Sequence, residues 1–439
     1  MKDRQYKTAG WIAKTNIYEV NIRQYTPEGT FNAFIPELPR LKDMGVETLW
    51  LMPVTPIAQK NKKGRLGSPY ACSDYTTVNP EFGNLDDLTN LVSKAHELDF
   101  KVIIDWVANH TGWDHIWTVE HPEFYLRDTS TGDFKMASGM EDIIELDYSV
   151  PGLRKAMIEA MRFWVRSCDI DGFRCDLAFW VELDFWKESR STLEKDKLLF
   201  WLGEFDPLDS PGYFEVFDAA YTWTWMHKAE DFYKNNTRLD QLILVLDQYR
   251  VCTNDRNFPV WFTSNHDENS WNGTEYDKYG DMASSLGVFC FTWNGLPMIY
   301  SGQELPNKKR LEFFEKDTIA WKEQIDLHRF YQTLTALKKN NPALMSGQKE
   351  NTRLFLNNLA NKNCFGYIRT ALDDSLLVFL NWSNEKAFFF NEGLQLTGDY
   401  TDVFNASAIS FGIDHSFELE PWGFLVYCKQ KGQLLNSGT

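Results

Sequence analysis

The 439-residue chain is long for one ordinary domain and suits a barrel of about 250 residues or more with additions. A net charge of −17 disfavours nucleic-acid phosphates and anionic membranes as partners and leaves a neutral substrate as the better match. Seven scattered cysteines without a paired CxxC spacing exclude a zinc framework or a disulfide scaffold.

In chain order, apolar runs that read as strands are Ile17–Tyr25, Thr48–Pro53, Lys101–Val107, Gly172–Asp176, Leu198–Glu204, Ala219–Trp223, Val260–Asn265 and Met298–Gly302. Helical patterns lie between them. Phe34–Met44 stops at Gly45, Leu85–Leu98 has Asn84 as its N-cap, and Pro151–Ser167 opens on a proline. Glu315–Lys339 also reads as helical. Strands alternating with helices predict parallel βαβ units, and eight of them close into a TIM (β/α)8 barrel. A doubly wound sheet is the alternative, but no glycine-rich phosphate turn follows the first strand.

Two stretches break the alternation. Residues 111–149, with TSTGD at the tip, read as a small subdomain inserted in a βα loop. After about Pro342 the texture becomes short strands and Asn, Asp and Gly turns: RLFLNN, CFGYIRT, LLVFLNW, AFFF, YTDVF, FELE and GFLVYC. These predict a C-terminal all-β sandwich. The expected domains are therefore the barrel over 1–110 and 150–342, the insertion over 111–149 and the sandwich over 343–439. No apolar run reaches the ~18 residues of a membrane helix, and MKDRQYKTAGW lacks the apolar core of a signal peptide. A complete chain would be cytoplasmic; one that had lost a leader would be periplasmic or secreted.

Barrel enzymes carry their chemistry at the C-terminal ends of the strands. Those ends bring Asp105 and His110, Arg174 and Asp176, Glu204, and His266 and Asp267. A lone Asp at a strand end is more often a helix cap or an ion-pair partner. Four strand ends converging on acids, two histidines and an arginine point to a site. Glycoside hydrolysis needs two carboxyl groups astride the scissile bond, about 5–5.5 Å apart in retaining enzymes. Asp176 and Glu204 end neighbouring strands, which run about 4.8 Å apart. Arg174, on the same face as Asp176, is expected to keep that carboxylate ionised, and the apolar run before Glu204 to favour its protonated form.

These segments resemble the α-amylase family (glycoside hydrolase family 13). DWVANH (Asp105–His110), GFRCDLAFW (Gly172–Trp180), GEFD (Gly203–Asp206) and FTSNHDEN (Phe262–Asn269) resemble its four conserved regions, in order. The resemblance runs from about Ile17 to Tyr427. It implies a retaining glycoside hydrolase of α-1,4-glucans, with Asp176 as nucleophile, Glu204 as general acid/base and Asp267 as a transition-state stabiliser. It further implies that His110 and His266 hydrogen-bond the sugar, that Tyr70 in SPYACSDY stacks on it with Asp74 supporting the loop, and that the insertion is a B subdomain. Phe179 and Trp180 stand where many relatives carry Lys–His, so stacking on the acceptor side is expected. That leaves a 4-α-glucanotransferase or a cyclomaltodextrinase/neopullulanase-like enzyme as alternatives, and a non-catalytic glucan-binding relative as a reading of another class. The resemblance also implies a structural Ca²⁺ with Asn109 and Asp147 as two ligands. The other oxygens that Ca²⁺ needs are not identifiable, and the two residues also read as loop and helix caps. Trp106, Trp113, Trp223, Trp225 and Trp271 read as packing rather than sugar platforms, and Trp382 and Trp422 as sandwich core.

Overall fold

A computed structural model describes residues 6–347, 352–356, 363–371, 374–391, 394 and 396–429. Parts of RLFLNN, the first residues of the chain and the end of the 343–439 range lie outside them. Eight parallel strands close into a barrel: β1 (Ile17–Val20), β2 (Thr48–Leu51), β3 (Lys101–Val107), β4 (Gly172–Asp176), β5 (Phe200–Gly203), β6 (Ala219–Tyr221), β7 (Phe258–Trp261) and β8 (Leu296–Tyr300). β8 pairs back onto β1, matching Ile17 with Met298. The barrel is a packed core, with Trp50, Trp106, Trp201 and Trp261 almost wholly buried. Gly172 begins β4 because a Cβ there would lie 2.1 Å from the Phe200 carbonyl oxygen of β5.

Several elements depart from expectation, each for a local reason. Beyond Val20 the chain makes one helical turn, Ile22–Tyr25, instead of extending β1. The Phe34–Met44 pattern is split into Phe31–Phe34, a 3-10 turn at Ile35–Glu37 and Leu38–Asp43, because Pro36 and Pro39 remove backbone donors. Trp223 starts a helix rather than ending β6. β7 and β8 begin two residues earlier than the pattern suggests, so Phe262–Asn265 is loop, and His266 and Asp267 open the short helical segment that continues through Glu268–Asn272. Only His328–Asn340 of the last helical region is helix. Ahead of it, Ile319 and Trp321 fold back on the barrel, where the Ile319 N–H donates to the Gln24 carbonyl (2.9 Å) and the Trp321 indole to that of Tyr25 (2.6 Å). Leu85–Glu97 is capped by reciprocal Asn84 and Asp87 bonds, and Pro151–Cys168 runs at full length.

Between β3 and Pro151 lies a short hairpin, His110–Gly112 against Ile143–Glu145, with 3-10 turns and an exposed tip. The C-terminal domain is all β. Its six-stranded antiparallel sheet faces a two-stranded one formed by Ala387–Phe390 and Ser416–Leu419. In the strand Asp374–Asn381, Leu377 and Phe379 point into the core shared with the small sheet. Leu376, Val378 and Leu380 join the barrel's core. The period-two alternation of a strand thus glues the domain to the barrel. Trp382 completes the junction by donating to Ser285 Oγ at 2.6 Å. No helix among the described residues is long and apolar enough to cross a membrane. All seven cysteines are thiols.

Candidate active site

The C-terminal ends of the strands open into a cavity of about 410 Å³ lined by Tyr70, His110, Asp176, Glu204, His266 and Asp267. Beneath it sits Arg174, fully buried on β4. Its guanidinium reaches Asp105 Oδ1 at 3.0 Å, Asp176 Oδ1 at 2.9 Å and Glu204 Oε2 at 2.9 Å, lies 4.9 Å from the Trp50 ring centroid, and donates to the Tyr221 hydroxyl. One cation therefore anchors three carboxyl groups. Strand register places two of them side by side: Cys175 pairs with Gly203, and the Glu204 N–H donates to the Cys175 carbonyl. The next residue, Leu177, adopts a left-handed backbone (φ 41°), which is costly for a branched side chain. That turn aims its N–H at Glu204 Oε2, 2.8 Å away, fixing the acid from below.

A second chain of contacts crosses the barrel. His266 Nδ1 contacts Glu19 Oε1 at 2.5 Å. Its Nε2 faces Asp267 Oδ2 at 3.2 Å and the Tyr70 hydroxyl at 2.8 Å. That hydroxyl donates to Asp105 Oδ2 at 2.9 Å. Burial disfavours the His266 cation, but Asp267 and Glu19 outweigh it, and the imidazole stays protonated well above its ordinary range. Burial would raise Asp267; His266 reverses this and holds it below the usual carboxylate range.

The expectation for Asp176 needs correction. Burial, and then the Glu204 charge, push its carboxyl well above the usual range, and Arg174 only opposes this. The arginine is divided among three acids, so it cannot fully offset any one. Asp176 therefore depends on Arg174 for its ionised form.

His110 lines the cavity as a neutral ring, since burial lowers it to about 4. Its Nδ1 accepts from Asn109 Nδ2 at 3.3 Å, which puts the ring proton on Nε2, buried beside the Tyr70 backbone. Nearby, burial lowers His115 to about 3. An unfolded histidine takes up its proton near pH 6.5, whereas folded His115 does not until about 3. Stability is therefore lost as pH falls through that window, by roughly 5 kcal/mol at most for this residue. Thermal unfolding of His115→Asn between pH 7 and 4 should show a shallower acid decline than the parent.

Phe179 and Trp180 do not line the cavity. They stand on the 3-10 turn Ala178–Trp180 just beyond it, 41% and 39% exposed, with ring centroids 5.8 Å apart. Trp271, expected as packing, is half exposed and lines the cavity mouth with Phe313 and Phe314. Trp106 and Trp225 are core. Met140, Asp142 and Ile143 of the inserted hairpin form another wall. Asp74 Oδ1 accepts from the Thr76 N–H at 2.8 Å and so braces the loop that carries Tyr70.

Sequence reasoning missed Glu19, Trp50 and Phe313. Glu19 carried a signal, an acid inside the apolar run IYEV; the other two carried none.

Asn109 and Asp147 do not assemble a calcium site. Asp147 Oδ1 accepts from the Ser149 N–H (3.0 Å) and hydroxyl (2.6 Å), the Asn109 amide faces His110, and no cluster of three His, Cys, Asp or Glu suited to a metal exists among the described residues. This donor set does not fit the 6–8 oxygens that Ca²⁺ takes.

A family model for the α-amylase catalytic domain matches residues 7–128 and 123–343. Alpha-amylase 2 of Dictyoglomus thermophilum is 23% identical over 86% of this chain and 67% of its own length. A cyclomaltodextrinase of Thermoanaerobacter pseudethanolicus is 24% identical over 83% of this chain and 65% of its own. The chain thus spans about two thirds of the length of these curated relatives. Among solved structures, an alpha-amylase from Lactobacillus plantarum superposes with a TM-score of 0.85 at 27% identity, covering 95% of this chain and 99% of that one. A maltogenic alpha-amylase from Thermotoga neapolitana gives 0.84 at 28%, with the same coverage. With its barrel, its buried arginine beneath paired carboxyls and the match over most of its length, the chain belongs to the α-amylase family of glycoside hydrolases.

Proposed function

We propose that this protein cleaves α-1,4-glucosidic bonds of starch-type glucans or maltooligosaccharides with retention of configuration. The carrying observation is the bridge from Arg174 to both Asp176 and Glu204. It sets two carboxyls from adjacent strands side by side on one cation, the arrangement of a double displacement, in which the pair stand about 5–5.5 Å apart rather than the roughly 6.5–9.5 Å that an intervening water needs.

Asp176 attacks the anomeric carbon while Glu204 gives its proton to the departing glycosidic oxygen. One C–O bond forms as the other breaks, leaving a glycosyl ester on Asp176. Glu204, now a base, takes a proton from water or an acceptor hydroxyl, which attacks the same carbon and frees Asp176. Arg174 stabilises Asp176 as it leaves. Asp267, ionised beside His266, grips sugar hydroxyls, and His110, on the cavity wall, hydrogen-bonds another. Tyr70, stacked on His266 at 5.2 Å, presents its ring to the sugar. A non-catalytic relative would not need both carboxyls on one buried cation.

The exposed Phe179–Trp180 pair favours a second reading, in which a glucan acceptor stacks beyond the scissile bond and receives the glycosyl group. Chromatography of products from maltotriose decides between them. Longer oligomers mean transfer, and Phe179→Ala/Trp180→Ala should then cut the transfer-to-hydrolysis ratio about tenfold. Glucose and maltose alone leave hydrolysis as the activity. No turnover on any α-glucan would overturn the proposal.

A further inference from the structure

A second cavity, of about 300 Å³, opens where the helix Trp223–Tyr233 meets the C-terminal domain. It shares no lining residue with the catalytic cavity. The helix leaves β6 at the mouth of the barrel and runs back along it, so Tyr233, at its far end, is about 15 Å from the catalytic face.

Trp382 and Phe232 form the floor, both buried, with rings 6.0 Å apart. The Tyr233 and Trp422 rings stand as a wall, 5.5 Å apart and inclined at 55°. Exposed Asn235 and Asn384 sit at the rim. No lining residue is charged, unlike the acid-rich catalytic cavity. Indole faces beside amides are a lining for a neutral, hydroxyl-rich ring: the rings cover its C–H faces, and each amide both donates to and accepts from hydroxyls.

The backbone supports the same reading. Trp422 has φ 57°, at the third position of a turn closed by the Gly423 N–H on the Glu420 carbonyl (2.9 Å). That position favours glycine or asparagine, and a bulky side chain there is strained. The Trp422 N–H donates to the Ser383 carbonyl at 2.9 Å, which locks the ring against the cavity. Expected as core, Trp422 is only partly buried.

We infer that this cavity is a secondary binding site for an α-glucan segment, holding a polymer chain on the face away from the catalytic centre. The ligand class rests on the proposed activity. The test is a calorimetric titration of the full-length Asp176→Asn protein with maltoheptaose. Two classes of site are expected, reduced to one in Asp176→Asn/Trp422→Ala. A double change at exposed positions, Asn235→Ala/Asn384→Ala, should weaken only the second class, by about tenfold. It carries the test if the tryptophan variant does not fold. A single class in the parent, or two undiminished classes in the variants, overturns the secondary site. Hydrolysis of maltoheptaose by the wild-type protein tests the activity separately: its absence would sink the proposed function, while the titration still judges the cavity.

Discussion

Replacing Asp176 by Asn should reduce turnover of maltooligosaccharides by about 10⁵-fold, the scale at which a removed nucleophile leaves only binding and electrostatics at work. The same change should raise thermal stability at neutral pH. The Asp176 carboxyl is pushed upward by burial and by Glu204. A folded pKa above the unfolded value near 3.8 means that the ionised form costs stability above that value, and an isosteric amide removes the cost. The gain should shrink as pH falls towards 4, which unfolding scans at pH 4 and 7 would resolve.

Azide separates the roles of the two acids. In Asp176→Ala it attacks the anomeric carbon directly, opposite the leaving group, and yields the β-glycosyl azide. In Glu204→Ala, with an activated aryl α-maltoside, the glycosyl ester on Asp176 still forms, and azide attacks it to give the α-glycosyl azide. Interchanged anomers would mean that the assignments are reversed.

Arg174→Ala is expected to be the most damaging single change to the fold of the site. The side chain is fully buried and is the shared counter-charge of Asp105, Asp176 and Glu204. Removing one partner of a buried ion pair costs about 3–5 kcal/mol because a charge is left without its partner. Without the cation, the three carboxyls should take up protons more readily in the folded state. A folded pKa raised above the unfolded value favours the folded form at low pH, so the deficit of Arg174→Ala should narrow from pH 7.5 to pH 5. Urea unfolding at the two pH values measures this, and a deficit that does not depend on pH would rule out the shared-charge account. Arg174→Lys keeps the charge but not the planar fork that spans separate carboxylates, so activity should fall with a smaller loss of stability.

Much of this was legible along the chain for local reasons. A run such as KVIID or GFRCD is apolar until its last residues because a barrel strand is buried until it reaches the rim. Asp176 and Glu204 can therefore be placed at strand ends, and on neighbouring strands, from the chain alone. The domain texture was equally local: period-two runs between Asn and Gly turns mark sheet, and Asn84 with Asp87 marks a helix start.

Where a contact joins distant segments, the linear pattern was silent or misleading. Trp271 reads as packing, yet the short helical segment Glu268–Asn272 after β7 stands it at the cavity mouth beside Phe313, which comes from beyond β8. The loop at Ile319 follows from packing against the barrel. Chemistry shows the divide most sharply. Asp176, Glu204 and Asp267 were identifiable as a trio from residue type and position alone. Their charge states were not, because Arg174 could be read as the private partner of Asp176 until the fold showed it divided with Asp105 and Glu204. Sequence by itself determined which groups reach the mouth of the barrel, since the period of a strand sets that. Tertiary structure alone decided how a single buried positive charge is apportioned among three acids, since electrostatic energy depends on distance and burial and not on order along the chain.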